Sequence, residues 1–239
     1  MRHWLRIVSG GGTLERDGVL AALAPAAPER AVVNSVIYED ADGLAAAYDE
    51  IAAAYAEIGA AWTVWVPSDD GQAAPFLEQR GHVLDAEPVV MALDLNGGVE
   101  RPPEGALESW TSDGDPALVG PLNDRAYDFG TDSFTRALAD LRSDDLRVYV
   151  AFLEGAAAGC LTVTDHDRNS DVELVAVIPE ARGHGIAGKL LAHALADAAE
   201  RGMETSTLVA TRRGKPVYER LGYRAFGVLQ MWERRPGAT

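Results

Sequence analysis

Hydrophobic positions in the second half of the chain follow a strand period and then change to a helical one. A β-branched run over Asp171–Ile178 leads through Pro179 into a glycine-rich stretch, and an Ala/Leu-rich segment follows over Ile186–Arg201. The run predicts a strand and the Ala/Leu segment predicts a helix. A glycine-rich turn that opens the helix therefore joins them.

Further strands are predicted on both sides of this strand and helix. Before it, the pattern indicates a strand, a helical region with polar breaks and a β-hairpin, over 106–111, 117–141 and 146–164. After it come a strand, a short helix and a final strand, over 205–210, 215–221 and 225–232. Strands combined with one crossover helix are typical of a mixed α/β sheet.

The first half contains one amphipathic helix between two predicted strands, Ala31–Tyr38 and Trp62–Val66. Apolar residues recur at helical spacing, which predicts a helix with one face in a core. These residues are Leu44, Tyr48, Ile51, Ala52, Tyr55 and Ile58.

A short internal repeat relates the two halves. Pro75–His82 and Pro216–Tyr223 share Pro, Glu and Gly at matching places and a ring at the last place. Asn96–Gly105 has the Pro and Gly density of a linker. We therefore predict a first domain over 1–97, a linker over 98–105 and a second domain over 106–239.

Composition and charge are those of a soluble, acidic protein. The 239 residues are 47% hydrophobic, enough for a buried core. Their net charge of -16 argues against nucleic acid and anionic membranes as partners. No apolar run reaches the roughly 18 residues of a membrane helix, and the N-terminus lacks the apolar region of a signal peptide. A cytoplasmic location is expected.

Cysteine and histidine spacing does not indicate a metal site. Cys160 is the single cysteine and lies in an apolar run, as a core thiol does. His166 lies between Asp165 and Asp167 on a polar connection, where such a group is usually solvated. No metal is expected.

The glycine-rich turn has the chemistry of an anion site. Gly183, Gly185 and Gly188 let an anion approach the main chain, and the helix start adds unpaired N–H groups. Their spacing also fits the dinucleotide fingerprint of hydride-transfer enzymes. That fold needs its first glycine directly after the strand and an acid about 20 residues further on. Here Pro179–Arg182 intervene, and the next strand leads into Thr211-Arg212-Arg213.

The turn and two flanking motifs resemble those of one known family. Arg182-Gly183-His184-Gly185-Ile186-Ala187 resembles the Arg/Gln-x-x-Gly-x-Gly/Ala signature of the GCN5-related N-acetyltransferase (GNAT) superfamily. Val177-x-Pro179-Glu180 and Pro216–Tyr223 are similar to two further hallmarks, in the same order. The resemblance implies an α/β fold with a GNAT-type mixed sheet in the C-terminal half, packed with a truncated GNAT-like N-terminal half.

The same resemblance implies acetyl-CoA as a co-substrate. In relatives the loop holds the pyrophosphate, and the main chain of the central strand pairs with the pantetheine arm. The corresponding residues here are Val175, Val177, Arg182, Gly183, His184, Gly185, Ile186, Ala187 and Gly188. Bracing of the loop is an equally consistent role for Arg182. Where many relatives have a cofactor-binding asparagine this chain has Thr211, which can still donate a hydrogen bond.

The first half lacks this anion site. Glu39, Asp40 and Asp42 stand at the start of its helix, where carboxylates suit the helix but repel a pyrophosphate. We therefore interpret the first half as a degenerate GNAT-like unit without cofactor.

Three side chains are candidates for proton transfer. Period-two alternation places Asp171 and Glu173 on the strand face of Val175 and Val177, and relatives use both carboxylate positions for proton removal. Tyr218 stands where the family has its general acid. Each has a structural alternative. Asp171 can simply start the strand at the solvent edge, Glu173 can make structural hydrogen bonds, and Tyr218 can be a core tyrosine.

The implied function is an N-acetyltransferase that moves an acetyl group from acetyl-CoA to a primary amine by direct attack in a ternary complex. Tyr127 and Phe129, set among acids, suit an amine with an apolar body, although core aromatics look the same. The acceptor is an unidentified small-molecule or peptide amine. Alternatives are a non-catalytic acyl-CoA-binding sensor or scaffold, and an NAD(P)-binding protein. The chain is expected to be a monomer, with its halves as an intramolecular pseudo-dimer, or a homodimer.

Overall fold

Contacts divide the computed structural model into two compact units. The structure describes Leu5 and residues 12–128, 130–141 and 146–237. The first unit consists of Met1–Pro88 with Gly227–Thr239, and the second of Val89–Phe226. Over the described ranges, no helix is both long and apolar enough to cross a membrane.

Twelve strands and six α-helices form the described part of the chain. In the first half they are β1 (Gly12–Arg16), β2 (Val19–Leu23), β3 (Ser35–Tyr38), α1 (Ala41–Glu57), β4 (Trp62–Pro67), α2 (Ala73–Glu78), β5 (Val83–Ala86) and β6 (Val89–Asp94). In the second half they are β7 (Ser109–Thr111), α3 (Val119–Tyr127), α4 (Ser133–Ala137), β8 (Leu146–Leu153), β9 (Ala156–His166), β10 (Asn169–Val177), α5 (Ile186–Glu200), β11 (Thr205–Ala210), α6 (Lys215–Arg220) and β12 (Arg224–Arg234).

The first unit is a mixed sheet with the order β1-β2-β3-β4-β12, and β5 pairs with β12. β3 and β4 are parallel, whereas β1, β2 and β3 form an antiparallel meander. The apolar stripe of α1 lies in the core of this unit: Leu44, Tyr48, Ile51 and Tyr55 are all buried. This confirms the helical period predicted for the first half.

The strand predicted over Ala31–Tyr38 is shorter than expected, because Ala31–Val33 forms a 3₁₀ turn. The buried side chain of Asn34 explains the difference. Its Oδ1 accepts from the Ala24 N–H (2.8 Å), and its Nδ2 donates to the Ala27 and Arg30 carbonyls (3.1 Å each). These bonds fold the chain back before β3 begins.

The second unit is a mixed sheet with the order β6-β11-β10-β9-β8-β7, in which β10 and β11 are parallel and the other pairs antiparallel. A Cβ placed on Gly159 of β9 points at Ile186 of α5, whereas the next residue, Cys160, faces Asn123 of α3. Successive residues of a strand point to opposite faces, so α3 and α5 cover opposite faces of this sheet. The predicted mixed α/β architecture is confirmed.

The units differ from the predicted domains in two strands. β6 lies before the predicted linker, but it pairs with β11 from Thr205↔Asp94 to Ala210↔Val89 and so belongs to the second unit. The end of β12 pairs with β4 from Leu229↔Pro67 to Arg234↔Trp62 and belongs to the first unit. Each sequence half thus contributes its last strand to the other half's unit, because sheet pairing does not follow the linker.

Candidate functional site

A β-bulge at Leu174 changes which residues share a face of β10. Glu173 is opposite Thr162 of β9 and Ala176 is opposite Cys160, so β10 has one extra residue in this interval. Leu174 has a left-handed backbone with φ of 51°. Residues directly opposite each other in an antiparallel pair point to the same face.

The prediction that Asp171 and Glu173 share a face with Val175 and Val177 is therefore wrong. Asp171 and Glu173 point to the face of Cys160, and Val177, opposite Gly159, points to the face of α5. The physical reason is that one extra residue reverses the period-two alternation beyond the bulge.

Glu173 is half-buried, and the Oε2 atom of its carboxyl is buried. Within the described ranges its Oε2 has no hydrogen-bond partner. Burial raises the pKa of Glu173 well above its usual range, and the nearby charge of Asp171 raises it further. Asp171 is itself 8% exposed and accepts a hydrogen bond from the Thr207 hydroxyl (3.0 Å). A carboxylate whose pKa is raised in this way is a stronger base than a free one.

The glycine-rich loop is exposed and turns through two left-handed glycines, Gly183 (φ 87°) and Gly185 (φ 72°). Lys189 N–H is the first amide of α5 to bond within the helix, to the Gly185 carbonyl (3.0 Å). The amides of residues 186–188 therefore stand at the open end of the helix dipole. The Lys189 ammonium adds positive charge beside the loop, where it donates to the His184 carbonyl (3.0 Å).

Arg182 and Tyr127 connect this loop and β10 to the C-terminal end of α3. The Arg182 guanidinium donates to the Ala126 carbonyl, which favours the bracing role over direct contact with an anion. The Tyr127 hydroxyl donates to the Val175 carbonyl (3.2 Å), although 44% of the residue is exposed. The Val175 main chain, predicted to pair with pantetheine, thus already has a side-chain partner on one side.

Tyr218 is buried on α6, which confirms the predicted short helix. Burial raises the pKa of Tyr218, and the nearby Tyr127 raises it further, so its hydroxyl is protonated at neutral pH. Gly214 leaves room for this ring, since a Cβ there would lie 2.9 Å from Tyr218 Cε2. The exposed Thr211 Oγ1 accepts from the Gly214 N–H (3.1 Å) and so holds the turn before α6.

Several of the predicted site residues meet in the second unit. A Cβ on Gly188 would lie 3.7 Å from Val217 Cγ1, so α6 packs beside the start of α5. Tyr127 bonds to the Val175 carbonyl (3.2 Å), and its proximity raises the pKa of Tyr218. The His184 ring is bonded within the loop, with Nδ1 3.2 Å from the Ala181 carbonyl. Phe129 lies outside the described residues.

Asn123 was not predicted as a functional residue, although it lies at the bulge. It is fully buried, and its Nδ2 donates to the Val119 carbonyl (2.9 Å) and towards the Leu174 carbonyl (3.5 Å). Its Oδ1 is without a partner in the described part of the chain. The available signal was an asparagine among Val119, Leu122 and Ala126, on the apolar side of an otherwise amphipathic helix.

Comparison with known proteins supplies the family. Residues 144–225, which include β10, the glycine loop and α6, match the model of the acetyltransferase (GNAT) domain. The stretch 144–225 therefore has the sequence of a GNAT acetyltransferase domain. The match includes Gly183, Gly185 and Gly188 and favours the GNAT signature over the dinucleotide fingerprint for them. No curated protein matches the sequence.

Solved structures show that the GNAT fold extends over both halves. A GCN5-related N-acetyltransferase from Kribbella flavida is 16% identical, with a TM-score of 0.69 over 99% of this chain and 93% of that one. Another from Sphaerobacter thermophilus is 20% identical, with a TM-score of 0.62 over 92% and 78%. A tandem GNAT protein from the clavulanic acid biosynthesis pathway is 18% identical, with a TM-score of 0.57 over 92% and 79%.

In the first unit, the start of α1 differs from the start of α5 in the GNAT domain. The Asp40 carboxylate accepts from the Gly43 N–H (2.7 Å) and caps the helix. An open groove of about 730 Å³ runs along this end, and its lining includes Asp17, Glu39, Asp42 and Glu50. The carboxylates give this groove the opposite electrostatic character to the glycine loop.

Proposed function

We propose that the GNAT domain transfers an acetyl group from acetyl-CoA to a primary amine, by direct attack in a ternary complex. The observation that carries this proposal is Glu173, a half-buried residue on the strand that leads to the glycine loop. Its pKa is raised, and its buried Oε2 has no hydrogen-bond partner among the described residues. A structural carboxylate would have its oxygens satisfied by hydrogen bonds.

The residues present fit acetyl-CoA. A Cβ placed on Gly183 would meet no atom within 4 Å, so the main chain there is open to a bulky anion, and the α5 amides and Lys189 supply positive charge. In this proposal the arm of the cofactor is bound by the main chain of Val175 and Val177 and by the Thr211 hydroxyl. Acetyl-CoA supplies the thioester whose acetyl carbon is attacked.

Two proton transfers fall to the chain's own side chains. The Glu173 carboxylate removes a proton from the substrate ammonium, directly or through water, and frees the nitrogen lone pair that forms the new C–N bond. As the C–S bond breaks, the Tyr218 hydroxyl donates its proton to the departing sulfur, and the second proton that the nitrogen loses after its attack restores the hydroxyl. The raised pKa of each group keeps Glu173 basic and Tyr218 protonated. Asp171 keeps the site negative and so favours a cationic amine.

The acceptor is a small-molecule or peptide amine with an apolar portion beside its ammonium group. Tyr127 has a partly exposed ring that suits such a body. Its hydroxyl donates to the Val175 carbonyl (3.2 Å), which holds this ring beside β10.

A panel of amines assayed for acetyl-CoA-dependent thiol release tests the proposal. We expect saturable turnover with at least one primary amine and none with the matching tertiary amine, which has no proton to lose after attack. Tight acetyl-CoA binding without turnover on any amine or peptide would instead indicate a non-catalytic acyl-CoA sensor.

A further inference from the structure

Leu174 adopts a backbone conformation that a leucine does not adopt by itself. Its φ of 51° is left-handed, in the middle of β10. This conformation is unfavourable for a residue with a Cβ and persists only where the surrounding structure holds it in place. Contacts specific to this bulge must therefore stabilise it.

Two buried side chains face the carbonyl group of Leu174. Asn123 Nδ2 lies 3.5 Å from the carbonyl oxygen and Cys160 Sγ lies 3.7 Å from it. Asn123 is 0% exposed and Cys160 is 1% exposed. The Asn123 amide is held in orientation by its bond to the Val119 carbonyl, one turn earlier in α3.

The same face of α3 holds the next carbonyl of the strand. Tyr127, four residues after Asn123, donates to the Val175 carbonyl (3.2 Å). Side chains four apart are neighbours on a helix surface. Successive carbonyls of a regular strand point in opposite directions, so one helix face reaches both only because Leu174 is left-handed.

We propose that Asn123 is a positioning residue that holds Leu174 in its left-handed conformation and thereby fixes the orientation of the Glu173 carboxyl. The inference rests on the proposed function, in which Glu173 is the base. If the bulge relaxed to a regular strand, the alternation beyond it would reverse, and the peptide that follows Glu173 would turn.

The Asn123→Leu substitution removes the donor while nearly keeping the side-chain volume. We expect kcat/KM for the amine to fall about 10- to 100-fold, since a small misplacement of a reacting group has this effect. The acidic limb of the pH profile, where kcat/KM rises as Glu173 ionises, should shift as well. The Kd of acetyl-CoA, measured by calorimetry, should change less. Thr164→Val is the matched control: it removes a buried hydroxyl on the same strand face, opposite Asp171, and should leave the pH profile in place.

A second substitution distinguishes positioning from general packing. Glycine adopts positive φ without strain, so Leu174→Gly added to Asn123→Leu should restore the pH profile and most of kcat/KM. It should also raise the melting temperature of the double variant above that of Asn123→Leu.

The melting temperatures need no turnover, so they test the positioning role even if no amine is acetylated and the proposed function fails. Two results would overturn the positioning role. One is an Asn123→Leu enzyme with an unshifted pH profile. The other is a double variant in which neither the pH profile of kcat/KM nor the melting temperature improves on that of Asn123→Leu, although the single variant Leu174→Gly folds.

Discussion

The Tyr48 hydroxyl lies 3.0 Å from Nε2 of His82, and Nδ1 of the same ring lies 3.0 Å from the Trp232 carbonyl. One neutral tautomer satisfies both contacts, with Nδ1–H donating to the carbonyl and Nε2 accepting from the phenol. Burial and the nearby Arg234 charge together lower the pKa of His82 to about 4, although its bond to the Trp232 carbonyl acts in the opposite direction. A neutral histidine therefore links α1, the segment after α2, and β12 within the first unit.

This link predicts acid-sensitive stability. Because the pKa of His82 is lower in the folded than in the unfolded chain, its contribution is complete above about pH 6.5 and is lost as the pH falls towards about 4. The loss amounts to at most about 3 kcal/mol. Denaturant unfolding of the wild type and His82→Phe across this range measures it. The variant should show the shallower pH dependence, and equal slopes would contradict a neutral His82.

Replacing Tyr218 with Phe should separate catalysis from binding. The ring and its packing are kept, so we expect acetyl-CoA affinity to change little. The proton for the departing sulfur is lost, so turnover should fall by roughly 10² to 10⁴. Tyr55→Phe is the control, since this buried tyrosine donates to the Ala22 carbonyl (2.8 Å) in the other unit. It should lose about 1 kcal/mol of stability and no turnover. Wild-type turnover of Tyr218→Phe at every pH would show that Tyr218 is a core tyrosine.

Glu173→Gln should increase stability and remove activity. A carboxyl whose pKa is raised on folding stabilises the chain at low pH, and this contribution is lost as the pH rises, so the neutral amide is favoured at neutral pH. Activity needs the ionised base, so wild-type kcat/KM should rise with pH through this raised pKa.

For Glu173→Gln, kcat/KM should be at least about 100-fold lower than in the wild type. Its rise with pH, the acidic limb of the profile, should also be absent. Asp171→Asn should keep the limb but move it to lower pH, because the neighbouring charge is gone. A Glu173→Gln enzyme that retained the limb would assign the base to another group.

Gly185→Glu should abolish acetyl-CoA binding. It places an anion at the loop, and its Cβ would lie 3.4 Å from Lys189 Cε. Gly59→Glu is the control, because Gly59 has a similar positive φ (63°) and open space around it, in the first unit. Both variants carry the backbone strain, so calorimetry should show lost affinity for Gly185→Glu alone. Equal affinities would remove the loop from the cofactor site.

Acetyl-CoA should bind at one site per chain. The start of α1 is capped by Asp40 and flanked by Glu39 and Asp42, which disfavour a pyrophosphate. Calorimetric titration gives the stoichiometry directly, and Gly185→Glu should reduce it to zero. A second site that survives in Gly185→Glu would show that the first unit binds cofactor.

The local elements of this protein and its family could be predicted from the amino-acid sequence alone. Three helices could be recognised because each depends on residues close together in the chain. They are α1 with its apolar period, the helix that starts at Ile186, and the short helix that contains Tyr218. The glycine loop was equally clear, since only glycine takes positive φ freely at Gly183 and Gly185.

Strand pairing and the direction in which β10 turns its side chains depend instead on tertiary contacts. The pairing of β6 with β11 joins residues more than 100 positions apart, and no local pattern encodes it. The bulge at Leu174 is likewise stabilised from outside its strand, by Asn123 and Cys160. One extra residue reverses a period of two, so a contact made by α3 determines the face on which Val177 lies relative to Glu173.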